Sequence, residues 1–107
     1  MTLLREVGTF RVVWYEWDPY KARENRRKHG VDFTDAIAAL EDPDRLETLD
    51  ARYPYGEERT LTIGMASSRA LFVVTTSREE DLCRIISARR ATRHEEDRYY
   101  EGDREAW

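Results

Sequence analysis

Two basic clusters hold the residue types that could do chemistry in this chain. From Lys21 to Lys28 five cations stand against one acid, and His29 follows directly; from Arg84 to His94 there are four arginines and no acid. Elsewhere acid dominates, and the net charge of the 107 residues is -4, so the positive charge is confined to particular places. Lysine and arginine neutralise phosphates with release of condensed counterions, and the 2′-hydroxyl is the group by which a protein treats RNA differently from DNA. RNA also carries its own nucleophile. Cleavage by that hydroxyl needs a base to deprotonate it, a cation for the charge growing on the phosphorane and an acid for the leaving 5′-oxygen. Arginine, lysine and histidine can share these roles without a metal. The candidates for the chemistry are Lys28, His29, Arg59, Arg84 and Arg89, and those for holding RNA are Lys21, Asn25 and Arg93.

Other chemistries find no support. There is no phosphate-binding glycine loop, no Gly-x-Ser-x-Gly and no His and Cys cluster at zinc spacing. The carboxylates of Glu41–Asp50 fall on a helix end and a loop rather than converging, so neither a metal site nor a cofactor is expected. The single cysteine, Cys83, excludes an internal disulfide and is expected to face the core. No apolar run approaches the roughly 18 to 20 residues of a membrane span, and the first residues do not lead into a secretory signal; a cytoplasmic protein is expected.

Each candidate also has a plainer explanation. Arg26, Arg27 and Lys28 suit a solvated helix face, and His29 beside Gly30 suits a helix C-terminus. Arg59 can pair with Glu57 or Glu58, His94 lies inside a capping sequence, and Tyr99 and Tyr100 read as packing residues.

The elements that must position these residues can be read from periodicity. Phe10–Trp17 is β-branched and aromatic, as a strand covered on both faces would be. Asp18-Pro19 opens a helix that Gly30 closes, yet only Tyr20 and Ala22 are apolar between residues 20 and 29, so this helix must show most of its surface. On it Lys21, Asn25 and Lys28 share one face, with His29 beside them. Phe33, Ala36, Ile37 and Leu40 make the stripe of a second helix, which Asp32 caps and Asp42-Pro43 stops. A period of two follows. Leu46–Asp50 reads as a strand and Tyr53–Gly56 as a turn, and Arg59, Leu61, Ile63 and Met65 then line one face of the next strand. Ala70–Thr76 is a central strand, Ser77–Asp81 a turn and Leu82–Arg90 the last strand, with Arg84, Ile86 and Ala88 on one face and Cys83, Ile85, Ser87 and Arg89 on the other. Thr92-Arg93-His94-Glu95 has the form of a capping box before a final helix. The order β-α-α-β-β-β-β-α predicts an α+β fold in which helices pack on an antiparallel sheet, as one domain over residues 1–107 with its core at about 10–101.

Trp17-Asp18, Lys21, Asn25, Lys28-His29-Gly30-Val31, Phe33, Ala36, Asp42-Pro43, Glu57, Arg59, Ile63-Gly64, Val73-Val74 and the run Arg84-Ile85-Ile86-Ser87-Ala88-Arg89 resemble the BrnT family of bacterial toxins. The resemblance runs from about Trp14 to Tyr100. It implies a RelE-like fold and a metal-independent endoribonuclease that arrests growth by cutting RNA. It also implies neutralisation by a BrnA-like ribbon-helix-helix antitoxin, in a hetero-oligomer that binds its own operator DNA. The basic residues in matching positions are Lys21, Lys28, His29, Arg59, Arg84 and Arg89. The acidic end Glu95–Glu105 and the negative net charge depart from what a tight general RNA binder needs, which suits a cleft acting on a ribosome or on a particular RNA. The alternative is a non-catalytic binding module or operon co-regulator acting only through its antitoxin partner.

Overall fold

The computed structural model describes residues 2–7, 11–50 and 57–102, so the turn expected at Tyr53–Gly56 lies outside the described residues. The elements are β1 (Thr2–Val7), β2 (Arg11–Glu16), α1 (Pro19–His29), α2 (Phe33–Leu40), β3 (Leu46–Leu49), β4 (Arg59–Ala66), β5 (Arg69–Glu79), β6 (Leu82–Arg90) and α3 (Arg93–Glu101). They form the expected α+β arrangement around one six-stranded sheet in the order β1-β2-β6-β5-β4-β3. Two features differ from the sequence expectation. A strand, β1, precedes the first one expected, and the sheet is mixed, because β2 runs parallel to β6 over Trp14–Glu16 while the other neighbours are antiparallel. The parallel pair arises because the chain leaves β2 through α1 and α2, crosses to the far edge at β3 and returns strand by strand to lie beside β2.

Local chemistry sets the helix ends. Asp18 Oδ1 accepts from the Tyr20 amide at 2.9 Å, and Gly30 closes α1 in the left-handed conformation (φ 67°) with its N–H on Arg26 O at 2.8 Å. Asp32 occupies the cap position of α2 without a side-chain cap bond, and its carboxylate lies 3.5 Å from Arg26 Nε instead. In α2 the buried face presses on β4 so closely that a Cβ on Gly64 would come 2.1 Å from Ala39 O.

Ala22 of α1 packs on the core, and the buried side chain that ties the helix to the sheet is polar. Asn25 is 7 % exposed, its Nδ2 donates to Val31 O at 3.0 Å and Ala88 O at 2.7 Å, and its Oδ1 accepts from Ala88 N at 3.1 Å. The pairing of β2 with β6 ends at Arg84, so beyond that point β6 lacks a strand on this edge, and the carboxamide supplies Ala88 with both missing partners. Asn25 therefore does not share an exposed face with Lys21 and Lys28, and the expectation that it holds RNA is corrected: its donors and acceptor are consumed inside the fold.

The sheet carries a core on each face. Between the sheet and the helices α1 and α2 lie Tyr15, Trp17, Phe33, Leu71, Val73 and Ile85, with Cys83 beside them and its thiol pushed up to about 11, chiefly by burial. On the opposite face α3 covers only one corner, over Ile63, Ala70 and Ala91 with Met65, Phe72 and Tyr99. Tyr99 donates its hydroxyl proton to Asp42 Oδ2 at 2.5 Å, and Asp42 also accepts from the amides of Met65 (2.8 Å) and Asp44 (2.9 Å). Burial alone would raise the Asp42 carboxyl, but these hydrogen bonds outweigh it and hold the group below its ordinary value; the Tyr99 hydroxyl moves up, through burial and then through Asp42. Tyr100, expected to pack, is 70 % exposed and meets only the edge of Tyr99 at 5.3 Å among the ring contacts described. Trp14, expected to be covered on a two-sided strand, is 45 % exposed, while Tyr15 turns inward.

A bulge in β6 decides which side chains share the open face. Val74 pairs with Ser87 and Thr75 with Ile85, which leaves Ile86 as an extra residue and resets the alternation. Ile85 and Ala88 then both join the helix-side core. Arg84, Ser87 and Arg89 consequently lie together on the other face, where uninterrupted alternation had separated Arg84 from Arg89.

Candidate active site

The face that α3 leaves open carries arginines at two stations. In the antiparallel register Arg59 of β4 and Arg84 of β6 both pair with Thr76 of β5, whereas Arg89 pairs with Phe72. Four residues of β5 separate the stations, about 13 Å at a rise of roughly 3.3 Å per residue. Arg59, Arg84 and Arg89 are thus on one surface, but they do not meet at one phosphate as a single cluster would.

Each arginine is oriented by acid. Arg84 Nη1 donates to Glu16 Oε1 at 3.1 Å, and Arg78 Nε lies 3.8 Å from the same oxygen. Arg59 Nη2 lies 3.7 Å from Glu57 Oε1, the pairing anticipated from sequence. Arg89 is held most firmly. Its Nη1 and Nη2 donate to the two carboxylate oxygens of Glu95 at 2.8 and 2.9 Å, and its guanidinium lies 4.1 Å over the Phe72 ring. Glu95 also closes the capping box, three residues after the cap, accepting from the Thr92 amide at 2.8 Å while Thr92 Oγ1 accepts from the Glu95 amide at 3.2 Å. Burial pushes the Glu95 carboxyl up, but Arg89 and Thr92 together hold it below the usual carboxylate range.

Beside Arg89 opens a cavity of ≈ 720 Å³ between the start of α3, the sheet and the end of α1. Its lining includes His29, Ser87, Arg89, His94, Glu95 and Arg98. These are the chain's two histidines, brought from opposite ends of the sequence to one space with two arginines. Imidazole is the side chain best suited to give or take a proton near neutral pH, and a guanidinium matches the charge and shape of a phosphate. A smaller cavity of ≈ 320 Å³ on the helix side is lined by Glu41, Glu47, Glu80 and Asp81 against Arg45, an acidic surround that repels phosphate. Among the described residues no three of His, Cys, Asp and Glu converge to hold a metal ion, and no helix is long and apolar enough to cross a membrane.

A model of the family described as "Ribonuclease toxin, BrnT, of type II toxin-antitoxin system" matches residues 17–95. The chain belongs to the BrnT family. Among solved structures, that of the BrnT ribonuclease toxin of Brucella abortus is similar with a TM-score of 0.54 and 24% identity, over 72% of this chain and 94% of that one. At this identity the likeness speaks for the fold. No curated protein matches the chain. Membership in a type II toxin family implies an RNA target and an antitoxin partner.

The structure distributes the basic positions that matched the BrnT pattern over three places. Arg59 and Arg84 form one station of the open face, Arg89 and His29 line the cavity, and Lys21 and Lys28 are exposed on α1 outside the cavity lining. Arg93 is exposed at the first turn of α3, also outside that lining. Sequence reasoning weighed His94 and left it to the capping box, and it did not single out Glu95, Ser87 or Arg98 for the site. The capping box explained His94 and Glu95 locally, and nothing in a one-dimensional pattern shows that the start of α3 lies against Arg89. A Glu at the third capping position, six residues after a strand arginine, was the available signal.

Proposed function

We propose that this chain is a metal-independent endoribonuclease that cuts RNA by attack of the 2′-hydroxyl on the adjoining phosphate, in the cavity between α3 and the sheet. The observation that supports it most is the convergence of His29 and His94 with Arg89 on that cavity. In this reading one imidazole takes the 2′-hydroxyl proton as the bond from O2′ to phosphorus forms. The bond from phosphorus to O5′ breaks as the other imidazole protonates the leaving oxygen, so the products are a 2′,3′-cyclic phosphate and a 5′-hydroxyl. Arg89, held in place by Glu95 and Phe72, stabilises the charge on the phosphorane, with Arg98 beside it. Arg59 and Arg84 bind a neighbouring phosphate on the same strand of RNA. The exposed Lys21, Lys28 and Arg93 add attraction at longer range.

The biological setting is part of the proposal. The toxin acts in the cytoplasm as a single domain, inhibits growth and is neutralised by a cognate ribbon-helix-helix antitoxin whose complex with it binds operator DNA. The family's place in type II systems supports this setting.

Purified protein incubated with RNA and DNA in excess chelator tests the enzyme directly. RNA is cut and DNA left intact, and His29→Gln and His94→Gln each lower kcat by about 10²-fold or more with the fold unchanged. Cutting that chelator abolishes removes the metal-free mechanism, and full activity in both histidine variants removes the cavity as its site.

A further inference from the structure

Trp14 adds a feature that the cavity does not account for. Its neighbours Val13 and Tyr15 turn to the helix-side core, while its own side chain is 45 % exposed on the open face. The register pairs Trp14 with Leu82 and Glu16 with Arg84, so the indole stands one same-face step along β2 from the carboxylate that Arg84 and Arg78 share. Two guanidiniums share one carboxylate beside an exposed aromatic ring, while Glu80 and Asp81 of the adjoining turn line the helix-side cavity. An apolar protein side chain docking here would desolvate three charges in exchange for one ring contact. A single-stranded nucleotide brings what this place lacks, a flat π-face for the indole and a phosphate for the arginines.

We propose that Trp14 is a base-stacking platform for single-stranded RNA, on which an unpaired base stacks while the adjoining phosphate meets Arg84 and Arg78. This rests on the ribonuclease reading and extends it to the class of substrate. RNA runs from the cavity at Arg89 along β6 past Arg84 to Trp14, a path of about 13 Å from Arg89 to Arg84 at roughly 3.3 Å per residue of the paired strand β5. A double helix keeps its bases stacked inside and cannot use the platform, so the substrate is unpaired over this length. Because every base has a π-face, the contact selects for single strands rather than for sequence. Trp14 lies ahead of residues 17–95, the segment that the BrnT family model covers.

The test is the affinity of the full chain for a single-stranded RNA 12-mer made uncleavable by 2′-O-methylation, set beside an abasic strand of the same length and backbone. The wild-type chain binds the base-bearing strand about tenfold tighter or more than the abasic one. Trp14→Ala removes that difference, Trp14→Phe restores most of it, and circular dichroism shows the fold unchanged. Equal affinity of the wild type for the two strands overturns the platform, even if ordinary RNA is still cut and the ribonuclease reading stands. Loss of antitoxin affinity in Trp14→Ala with RNA affinity kept also overturns it and assigns the indole to protein docking. A wild type that neither binds nor cuts RNA overturns both proposals.

Discussion

Arg89 is fixed from three sides, by both oxygens of Glu95, by the Phe72 ring and by a bond from Nη1 to Arg90 O at 3.1 Å. Such a site depends on the planar fork of arginine, since an ammonium group cannot reproduce two parallel hydrogen bonds and a stacked face. Arg89→Lys is therefore expected to cut RNA at least tenfold more slowly while keeping the charge. The same change should lower stability by roughly 1 to 2 kcal/mol, because a charge-assisted bond at the start of α3 is lost. Activity assays and urea unfolding of the same preparation measure both. The residue scale is also where the sequence was least legible. The run Arg84–Arg89 was recognisable as important, but the faces were assigned by strict alternation, and one extra residue at Ile86 reverses that assignment for everything after it. Asn25 was read as a surface residue because helical spacing aligns it with two lysines. Only the open edge of β6, formed by residues more than sixty positions away, explains why it is buried.

Elements were easier to read where their signals are local. The Asp18 cap, Gly30, the α2 stripe and the Thr92–Glu95 box are each decided within a few residues, and each stands in the structure. The strand β1 and the parallel pairing of β2 with β6 are set by partners distant in sequence, and local periodicity carries no trace of them. The docking of α3 shows the same dependence, since Asp42 at the end of α2 accepts from both Tyr99 and the Met65 amide and so joins helix, loop and sheet. This has a pH signature. The carboxyls of Asp42 and Glu95 are both held below their ordinary values, so the stability they contribute is complete above the unfolded range near 3.8 to 4.5 and is lost as pH falls through the lowered folded values. Tyr99 is raised, so its contribution is complete below pH 10 and fades above it. The melting temperature is expected to be level in neutral solution and to drop below about pH 4. Asp42→Asn should give a lower plateau and a shallower acid limb, and an acid limb as steep as that of the wild type would show that Asp42 does not couple α3 to the sheet.

At the scale of the whole molecule, an acidic chain sets Arg59, Arg84 and Arg89 on the sheet face that α3 leaves open and both histidines on the cavity at one end of that face. Net charge alone argued against nucleic acid, and its distribution along the sequence argued for it. The fold turns that distribution into a surface with a cavity at one end and an exposed indole at the other. Membership in the BrnT family gives this surface its context, and the two histidines give it a mechanism that can be tested by its products. The most direct measurement is mass spectrometry of the ends left on a defined RNA cut in excess chelator. The account predicts 2′,3′-cyclic phosphate and 5′-hydroxyl ends, absent when the nucleotide 5′ to the cut is replaced by its 2′-deoxy form. Ends bearing a 3′-hydroxyl and a 5′-phosphate, or undiminished cutting of the deoxy-substituted strand, would contradict it.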